Sequence, residues 1–172
     1  MAQRTRLTFD PIRRAAQLWT RRWGPRAQAE AMASATSLMR VQQLLLGRFD
    51  AIVGEHGLTF ARYEALVLLA FSREGELAMS TVGERLMVHP TSATNIAQRL
   101  QSQGMITRRP NPADGRGTLA AITPVGIAAM EAATADLVAA GFGLSSLDAA
   151  EHDELFRLLR KIRTDHGDLD AD

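Results

Sequence analysis

The sequence predicts a mainly α-helical chain that carries one small β-hairpin. Apolar residues recur at helical spacing over most of the 172 residues, and polar loops separate these stretches. Two short β-type runs also flank a turn rich in Gly, Asp and Arg near residue 115. Because the length is close to the ~150 residues of a typical domain, a single core is expected.

The composition excludes several classes of protein. Apolar residues make up 46% and charged residues 23%, which is ordinary for a folded chain and argues against disorder. The absence of Cys excludes thiol redox sensing and Cys-ligated zinc. No apolar stretch approaches the ~20 residues that span a bilayer, so no membrane-spanning protein is expected. The four His fall on separate predicted elements and no nucleotide or nucleophile motif is present, so we expect no enzyme, cofactor or metal site.

Charge is distributed unevenly along the chain. The 20 Lys and Arg nearly balance the 19 Asp and Glu overall, yet residues 1–26 hold seven Arg against Asp10 alone. Residues 85–117 hold five Arg against Asp114, whereas residues 131–172 hold ten acids against four basic residues. The middle segment is therefore the part of the chain suited to a polyanion such as DNA.

The first predicted helix lies in the Arg-rich start. Its apolar residues recur at steps of three and four, and they are Phe9, Ile12, Ala16, Trp19 and Trp23. Gly24 and Pro25 then end the helix. Two large Trp side chains favour a helix docked on the rest of the protein, while a targeting or membrane-surface helix and a disordered segment are the alternatives.

The remaining helices follow from periodicity and end signals. A long helix closes at Gly54 and Gly57, and its stripe at a mean spacing of 3.5 residues suits pairing of two helices: Ala35, Leu38, Gln42, Leu45, Phe49 and Ile52. Thr59 can cap the next helix, which runs to about residue 71, and residues 73–79 are expected to form a loop. Pro124 starts a helix to about residue 140, and a last helix follows residue 146.

Residues 80–103 predict a helix-turn-helix. Ser80 can cap a helix over residues 80–86, residues 87–89 form the turn, and Pro90 fits the first position of a helix that ends near residue 103. Ile96 and Leu100 should face inward on this second helix. The side chains left outside are short, polar or basic, and without acids: Thr91, Ser92, Thr94, Asn95, Gln98 and Arg99. Such a surface suits the DNA major groove, and a solvated helix face is the alternative.

A β-hairpin follows this helix and forms a projection, or wing. Residues 106–109 and 118–122 are the predicted strands, and the tip holds Arg116 between two Gly. A slim tip can carry Arg116 into a minor groove about 6 Å wide. Asp114 is expected to support the wing, and Arg108 and Arg109 to divide between phosphate contact and support of the loop.

The chain resembles the MarR (multiple antibiotic resistance regulator) family. The resemblance rests on the run from Thr81 to Thr94, on Gly104-Met105-Ile106-Thr107-Arg108, on Asp114-Gly115-Arg116 and on residues 119–123, and the order of elements agrees over about residues 30–165. It implies a winged helix-turn-helix in an intertwined helical homodimer. It further implies a cytoplasmic regulator, expected to be a repressor of a pseudo-palindromic double-stranded DNA operator. Two positions depart from the family pattern: Met87 replaces a small residue in the turn, and His89, a poor cap, replaces Ser or Thr.

An N-terminal helix with Trp also resembles the urate-responsive branch of that family. The resemblance implies a ligand site that involves Trp19, Trp23 and Arg108. Ile96 stands where that branch has Arg, which removes a bidentate anion partner and argues against urate itself. The hypothesis is therefore a small anionic aromatic effector that lowers DNA affinity, with simple packing of the two Trp as the alternative.

The full prediction divides the chain into three parts. Residues 1–25 form the N-terminal amphipathic helix, residues 26–58 and 124–172 the dimerisation helices, and residues 59–123 the DNA-binding domain. A winged-helix protein-interaction module without operator binding is the alternative function. The side chains expected to contact DNA are Ser80, His89, Thr91, Ser92, Thr94, Asn95, Gln98, Arg99, Arg108, Arg109 and Arg116.

Overall fold

A computed structural model describes residues 7–112 and 114–170, with only the backbone described for residues 114–116. The elements are α1 (Pro11–Trp23), α2 (Ala29–Gly54), α3 (Phe60–Ala70), β1 (Glu76–Ala78), α4 (Met79–Arg85), α5 (Pro90–Ser102), β2 (Ile106–Asn111), β3 (Asp114–Ile122), α6 (Pro124–Ala139), a 3-10 turn (Gly141–Gly143) and α7 (Ala149–Asp165). The predicted fold class, mainly α with a small β wing, is confirmed. No helix in the described ranges has both the length and the apolarity that crossing a membrane requires.

The chain forms two compact units, residues 1–48 and 49–172, and the boundary falls within α2. In the first unit, α1 begins at Asp10, whose carboxylate accepts from the backbone N of Ile12 at 2.9 Å. Trp19 donates its indole N–H to the carbonyl of Ala27 at 2.8 Å, and its ring lies 4.4 Å from that of Trp23. The predicted α1 helix is thus present, but none of its side chains is buried.

The core of the second unit lies between α3, α5, α6 and the sheet. Its largest fully buried side chains are Leu66, Leu69, Leu100, Leu137, Val53 and Val82. Tyr63 places its hydroxyl 2.9 Å from that of Thr134, which links α3 to α6 with a satisfied polar pair. This core holds α5 against α3 and leaves the outer face of α5 in solvent.

The sheet corrects the prediction of a loop over residues 73–79. Residues Glu76–Ala78 form β1, which pairs antiparallel with β3, so the strand order is β1-β3-β2. Three residues are too few to show a period of two, and the partner of Leu77 is Ala120, far along the chain. The pairing therefore comes from tertiary structure rather than from a local signal. The two wing strands are also longer than expected, and both extend toward the tip.

Two helices have large apolar side chains that are exposed among the residues that the structure describes. In α7 no residue is buried, and Phe156 is 64% exposed while Leu158 and Ile162 are each 44% exposed. Along α2 the exposed large apolar side chains are Leu38, Met39, Val41, Leu44 and Leu46. Of these, Leu38 belongs to the predicted 3.5-residue stripe, and Ala35 and Gln42 of that stripe are exposed as well.

Helix ends follow the sequence signals closely. Thr59 accepts from the backbone N of Arg62 and caps α3, and Thr123 accepts from the backbone N of Gly126 at 3.1 Å and caps α6. Asp148 and Glu151 form a reciprocal capping box at the start of α7, with both hydrogen bonds at 2.9 Å. These caps fix where α3 and α6 begin, and so fix the two ends of the segment that includes the wing.

Candidate nucleic-acid interface

The first helix of the predicted helix-turn-helix is α4, and it begins two residues earlier than a cap at Ser80 would require. Ser80 was predicted to cap it, but Ala78 occupies the cap position with no side-chain hydrogen bond, and Ser80 lies exposed inside the first turn. The prediction is wrong because β1 ends at Ala78 and leads directly into α4. Strand pairing, rather than a capping hydroxyl, thus sets the start of this helix.

The turn between α4 and α5 packs the two helices closely. Met87 adopts a left-handed φ of 51° and is 78% exposed, which explains why a small residue or Gly would suit this position. The backbone N of Val88 donates to the carbonyl of Gly83 at 3.0 Å. A Cβ added at Gly83 would lie 3.4 Å from the Cβ of Ala93, so α4 and α5 already approach to side-chain contact distance.

His89 caps α5 despite the expectation that it would cap poorly. Its ring Nδ1 accepts from the backbone N of Thr91 at 3.3 Å, and Pro90 follows at the first helical position. One ring nitrogen of a neutral His carries a free lone pair, so the imidazole can accept this hydrogen bond although His is rarely found as a helix cap. The first turn of α5 therefore has an ordered start.

The two faces of α5 differ sharply in chemistry. Ala93, Ala97 and Leu100 are buried, and Ile96 packs partly against the core. The two Ala were not predicted to face inward, although their spacing of four residues is the usual signal. All six side chains predicted to face outward are exposed, and they are Thr91, Ser92, Thr94, Asn95, Gln98 and Arg99. The outer face of α5 thus offers hydrogen-bond donors and acceptors, one guanidinium and no carboxylate.

The wing-base arginines have different partners. The Nε of Arg108 donates to Oε1 of Gln101 at 2.7 Å, which ties β2 to the end of α5. The Nη2 of Arg109 lies 2.6 Å from Oε1 of Glu76, an ion pair that links β2 to β1 across the sheet. Arg109 therefore supports the wing. The side chains of Asp114 and Arg116 lie outside the described residues.

A groove of about 610 Å³ separates α5 from the wing. Its lining includes Ser80 from α4, Thr94 from α5 and Arg108 from β2, together with the carboxylate-bearing Glu84. The structure thus brings together side chains from all three elements of the predicted site. Among the described residues, no group of three or more His, Asp and Glu side chains is placed to hold a metal ion.

Comparison with known proteins identifies the family. A family profile described as MarR family matches residues 56–117. The solved structure of Sco5413, a MarR family transcriptional regulator from Streptomyces coelicolor, is 57% identical, covers 83% of this chain and 99% of its own, and superposes with a TM-score of 0.77. This chain belongs to the MarR family of transcriptional regulators.

More distant solved structures share the fold. Sco3205 from Streptomyces coelicolor, solved in complex with DNA, is 21% identical over 80% of this chain and 88% of its own, with a TM-score of 0.73. CouR from Rhodococcus jostii RHA1, solved bound to p-coumaroyl-CoA, is 25% identical over 73% of this chain and 87% of its own, with a TM-score of 0.64. A comparison with curated proteins gives no match.

The two Trp of this MarR chain lie on α1, in the first unit. The indole N–H of Trp19 already donates to Ala27, whereas Trp23 is 58% exposed and has the guanidinium of Arg22 5.8 Å from its ring centre. A groove of about 540 Å³ runs between α1 and the first turns of α2, and its lining includes Ile12, Ala16 and Ala33. The indole N–H of Trp19 is thus already used in a hydrogen bond, while the ring of Trp23 is exposed.

Proposed function

We propose that this MarR protein is a sequence-specific double-stranded DNA-binding regulator that places α5 in the major groove. The carboxylate-free outer face of α5 carries the proposal, because it matches the chemistry of base edges and phosphates. Asn and Gln pair with adenine, Arg pairs with guanine, and Ser or Thr pairs with bases or phosphate. The 57% identity to a MarR transcriptional regulator and the occurrence of this fold in a DNA complex support it.

The proposed active form is a homodimer. Phe156, Leu158 and Ile162 on α7 and the apolar side chains of α2 are exposed in the single chain. Burying apolar surface contributes roughly 25 cal/mol of favourable free energy per Å². A dimer in which a second copy covers these side chains is therefore stabilised. A two-fold pair presents two α5 helices, which suits a pseudo-palindromic operator with half-sites about 34 Å apart.

The proposed regulation is repression that a small ligand relieves. CouR is solved bound to p-coumaroyl-CoA, a thioester of an aromatic acid, and this supports an aromatic ligand for a related fold. For this chain an anionic aromatic ligand would stack on the exposed ring of Trp23. Such a ligand lowers DNA affinity only if it binds better to a dimer whose α5 helices are wrongly spaced for DNA.

The test is DNA affinity measured over a range of salt concentrations, with wild type and two variants. A DNA-binding protein loses affinity steeply as salt rises, because phosphate contacts release counterions. Asn95→Ala should lose discrimination at particular base pairs, by about 1–3 kcal/mol for a bidentate contact. Gln17→Ala, an exposed amide on α1, is the matched control and should keep the preference.

Two outcomes would oppose the proposal. A weak interaction with DNA that barely responds to salt would favour the protein-interaction module. A loss of affinity in Asn95→Ala that is equal for all sequences would restrict Asn95 to the DNA backbone and would remove it from base reading.

A further inference from the structure

The side of α5 that lies away from the wing forms a groove with the start of α3. The groove has a volume of about 510 Å³, and its lining is polar or basic except for one Ile: Thr59, Arg62, Ser92, Asn95, Ile96 and Arg99. No carboxylate belongs to this lining, in contrast to the groove on the wing side, which includes Glu84. Two guanidinium groups therefore line a concave surface that lacks a neutralising acid.

Arg62 is held in place by three hydrogen bonds. Its Nε donates to Oγ1 of Thr59 at 3.2 Å, and its Nη1 donates to the carbonyl of Gly57 at 3.2 Å and to Oε1 of Gln103 at 3.0 Å. Gln103 in turn donates to the same Gly57 carbonyl at 2.9 Å. The guanidinium is thus oriented before any ligand arrives, which reduces the entropy lost on binding.

The Nη2 of Arg62 remains for another partner. In the described part of the chain it has no hydrogen-bond acceptor, and neither has the guanidinium of Arg99. Asp50 of α2 accepts from the backbone N of Phe60, the first residue of α3, at 2.7 Å and so already has a partner. The groove therefore presents free N–H donors from two cations, an arrangement that suits a phosphate oxygen.

The position of the groove indicates which phosphate it would bind. A helix about 10–12 Å in diameter fills a major groove about 12 Å wide, so a sugar-phosphate backbone runs along each of its flanks. One flank of α5 faces the wing, and the other faces Arg62. We infer that the groove between α3 and α5 binds a backbone phosphate of one DNA strand, with Arg62 and Arg99 as its ligands.

This inference rests on the proposed DNA binding and adds a contact outside the recognition helix and the wing. Because a phosphate carries no base information, the contact raises affinity for every sequence equally and fixes how deeply α5 enters the groove. Loss of this contact should therefore lower the affinity for operator and for random duplexes by the same factor.

The test compares Arg62→Gln with Arg73→Gln. Arg73 is exposed in the loop beyond the opposite end of α3, so the control removes the same charge away from the groove. Arg62→Gln should lower affinity roughly tenfold on every duplex, because a hydrogen bond to a charged group is lost. It should also reduce the slope of log affinity against log salt by about one for each bound protomer. Arg73→Gln should change neither.

A second measurement locates the contact on the DNA. Single phosphates of a bound duplex are replaced in turn by neutral methylphosphonates. In wild type and Arg73→Gln, one position beside each α5 should show a clear loss of affinity, and in Arg62→Gln that loss should be smaller, because only Arg99 still contacts that phosphate. A penalty pattern that is identical in all three proteins would overturn the inference.

A third variant separates phosphate binding from a structural role of Arg62. Gln103→Ala removes one of the three hydrogen bonds that orient the guanidinium of Arg62, together with the bond from Gln103 to Gly57, but leaves the charge of Arg62. If Arg62 binds phosphate, Gln103→Ala should keep the wild-type salt slope and the methylphosphonate penalty. If Gln103→Ala reproduces the slope of Arg62→Gln, the effect is structural and the inference fails.

Inorganic phosphate without DNA distinguishes a free anion from the DNA backbone. A rise in Tm with phosphate that Arg62→Gln abolishes, combined with an unchanged salt slope on DNA, would assign the groove to a free anion and overturn the inference. Wild-type protein that binds no duplex at all would contradict the proposed function itself, whereas DNA binding that Arg62→Gln leaves unchanged would contradict only this inference.

Discussion

Gly126, the third residue of α6, is the position where a single methyl group should cost the most. It is buried, and a Cβ there would lie 2.2 Å from the carbonyl oxygen of Met105 and 3.0 Å from Cγ1 of Ile122. The Met105 carbonyl cannot move freely, because it accepts from the backbone N of Thr123 at 3.0 Å. The hydroxyl of Thr123 also donates to the carbonyl of Gly104 at 2.7 Å. Gly126→Ala therefore strains the junction between the wing and α6.

The expected magnitude follows from these contacts. Separating the new methyl from the backbone by about 1 Å is overpacking, which costs about 1–3 kcal/mol, and the upper end applies because the obstacle is backbone. Loss of the Thr123 hydrogen bond adds about 1 kcal/mol, and the better helix propensity of Ala returns about 1 kcal/mol. The net loss in free energy of unfolding is about 3 kcal/mol, which is roughly 6–12 °C in Tm for a chain of this size.

Urea and thermal unfolding of the purified variants provide the measurement. Gly54→Ala is the matched control, since a Cβ at Gly54 meets nothing within 4 Å and its φ is not positive. The control should gain up to about 1 kcal/mol. An ordinary surface substitution changes the free energy of unfolding by up to about 0.5 kcal/mol. If Gly126→Ala changes it by no more than this, α6 does not approach Met105 as closely as described.

Three further predictions concern the wing, the N-terminal helix and one acid. Arg116→Ala should weaken DNA binding by about 1–3 kcal/mol in a titration with operator duplex, and an unchanged affinity would mean that the wing tip stays out of the minor groove. Deleting residues 1–25 should lower Tm because the hydrogen bond from Trp19 to Ala27 is lost, and an unchanged Tm would show that α1 contributes nothing to stability. Burial raises the pKa of Glu64, so its native pKa exceeds its unfolded pKa and the ionised form costs stability as pH rises through the native value. Glu64→Gln should therefore be more stable than wild type at pH 7 and lose this advantage as pH falls through the raised native pKa to about 4, and a difference that does not vary with pH would refute this reasoning.

Much of the fold could be predicted because its helix boundaries are encoded locally. Thr59, Thr123 and Pro124 specify starts through a hydroxyl cap or a fixed φ, and the structure places α3 and α6 where these residues require. The inward Leu100 follows from helical spacing in the same way. These features depend on neighbours within one helical turn, so a single sequence contains the information.

The features that were missed depend on partners far along the chain. β1 exists because Leu77 pairs with Ala120, and the start of α4 follows from that pairing rather than from Ser80. Arg62 carries no motif, and one of the hydrogen bonds that orient it comes from Gln103, 41 residues away. His89 was misjudged because cap statistics ignore the ring acceptor that it offers to Thr91. The outer face of α5 could be predicted because its exposure follows from α5's own period.

The most direct test of the account is selection of bound sequences from random duplex DNA with the full-length protein. We expect enrichment of an inverted repeat whose half-site centres lie about 10 base pairs apart, because two α5 helices would be presented by a two-fold pair. Recovery of no preferred sequence, or of isolated half-sites without a second copy at fixed spacing, would contradict the assignment of α5 as a reading helix in a symmetric dimer.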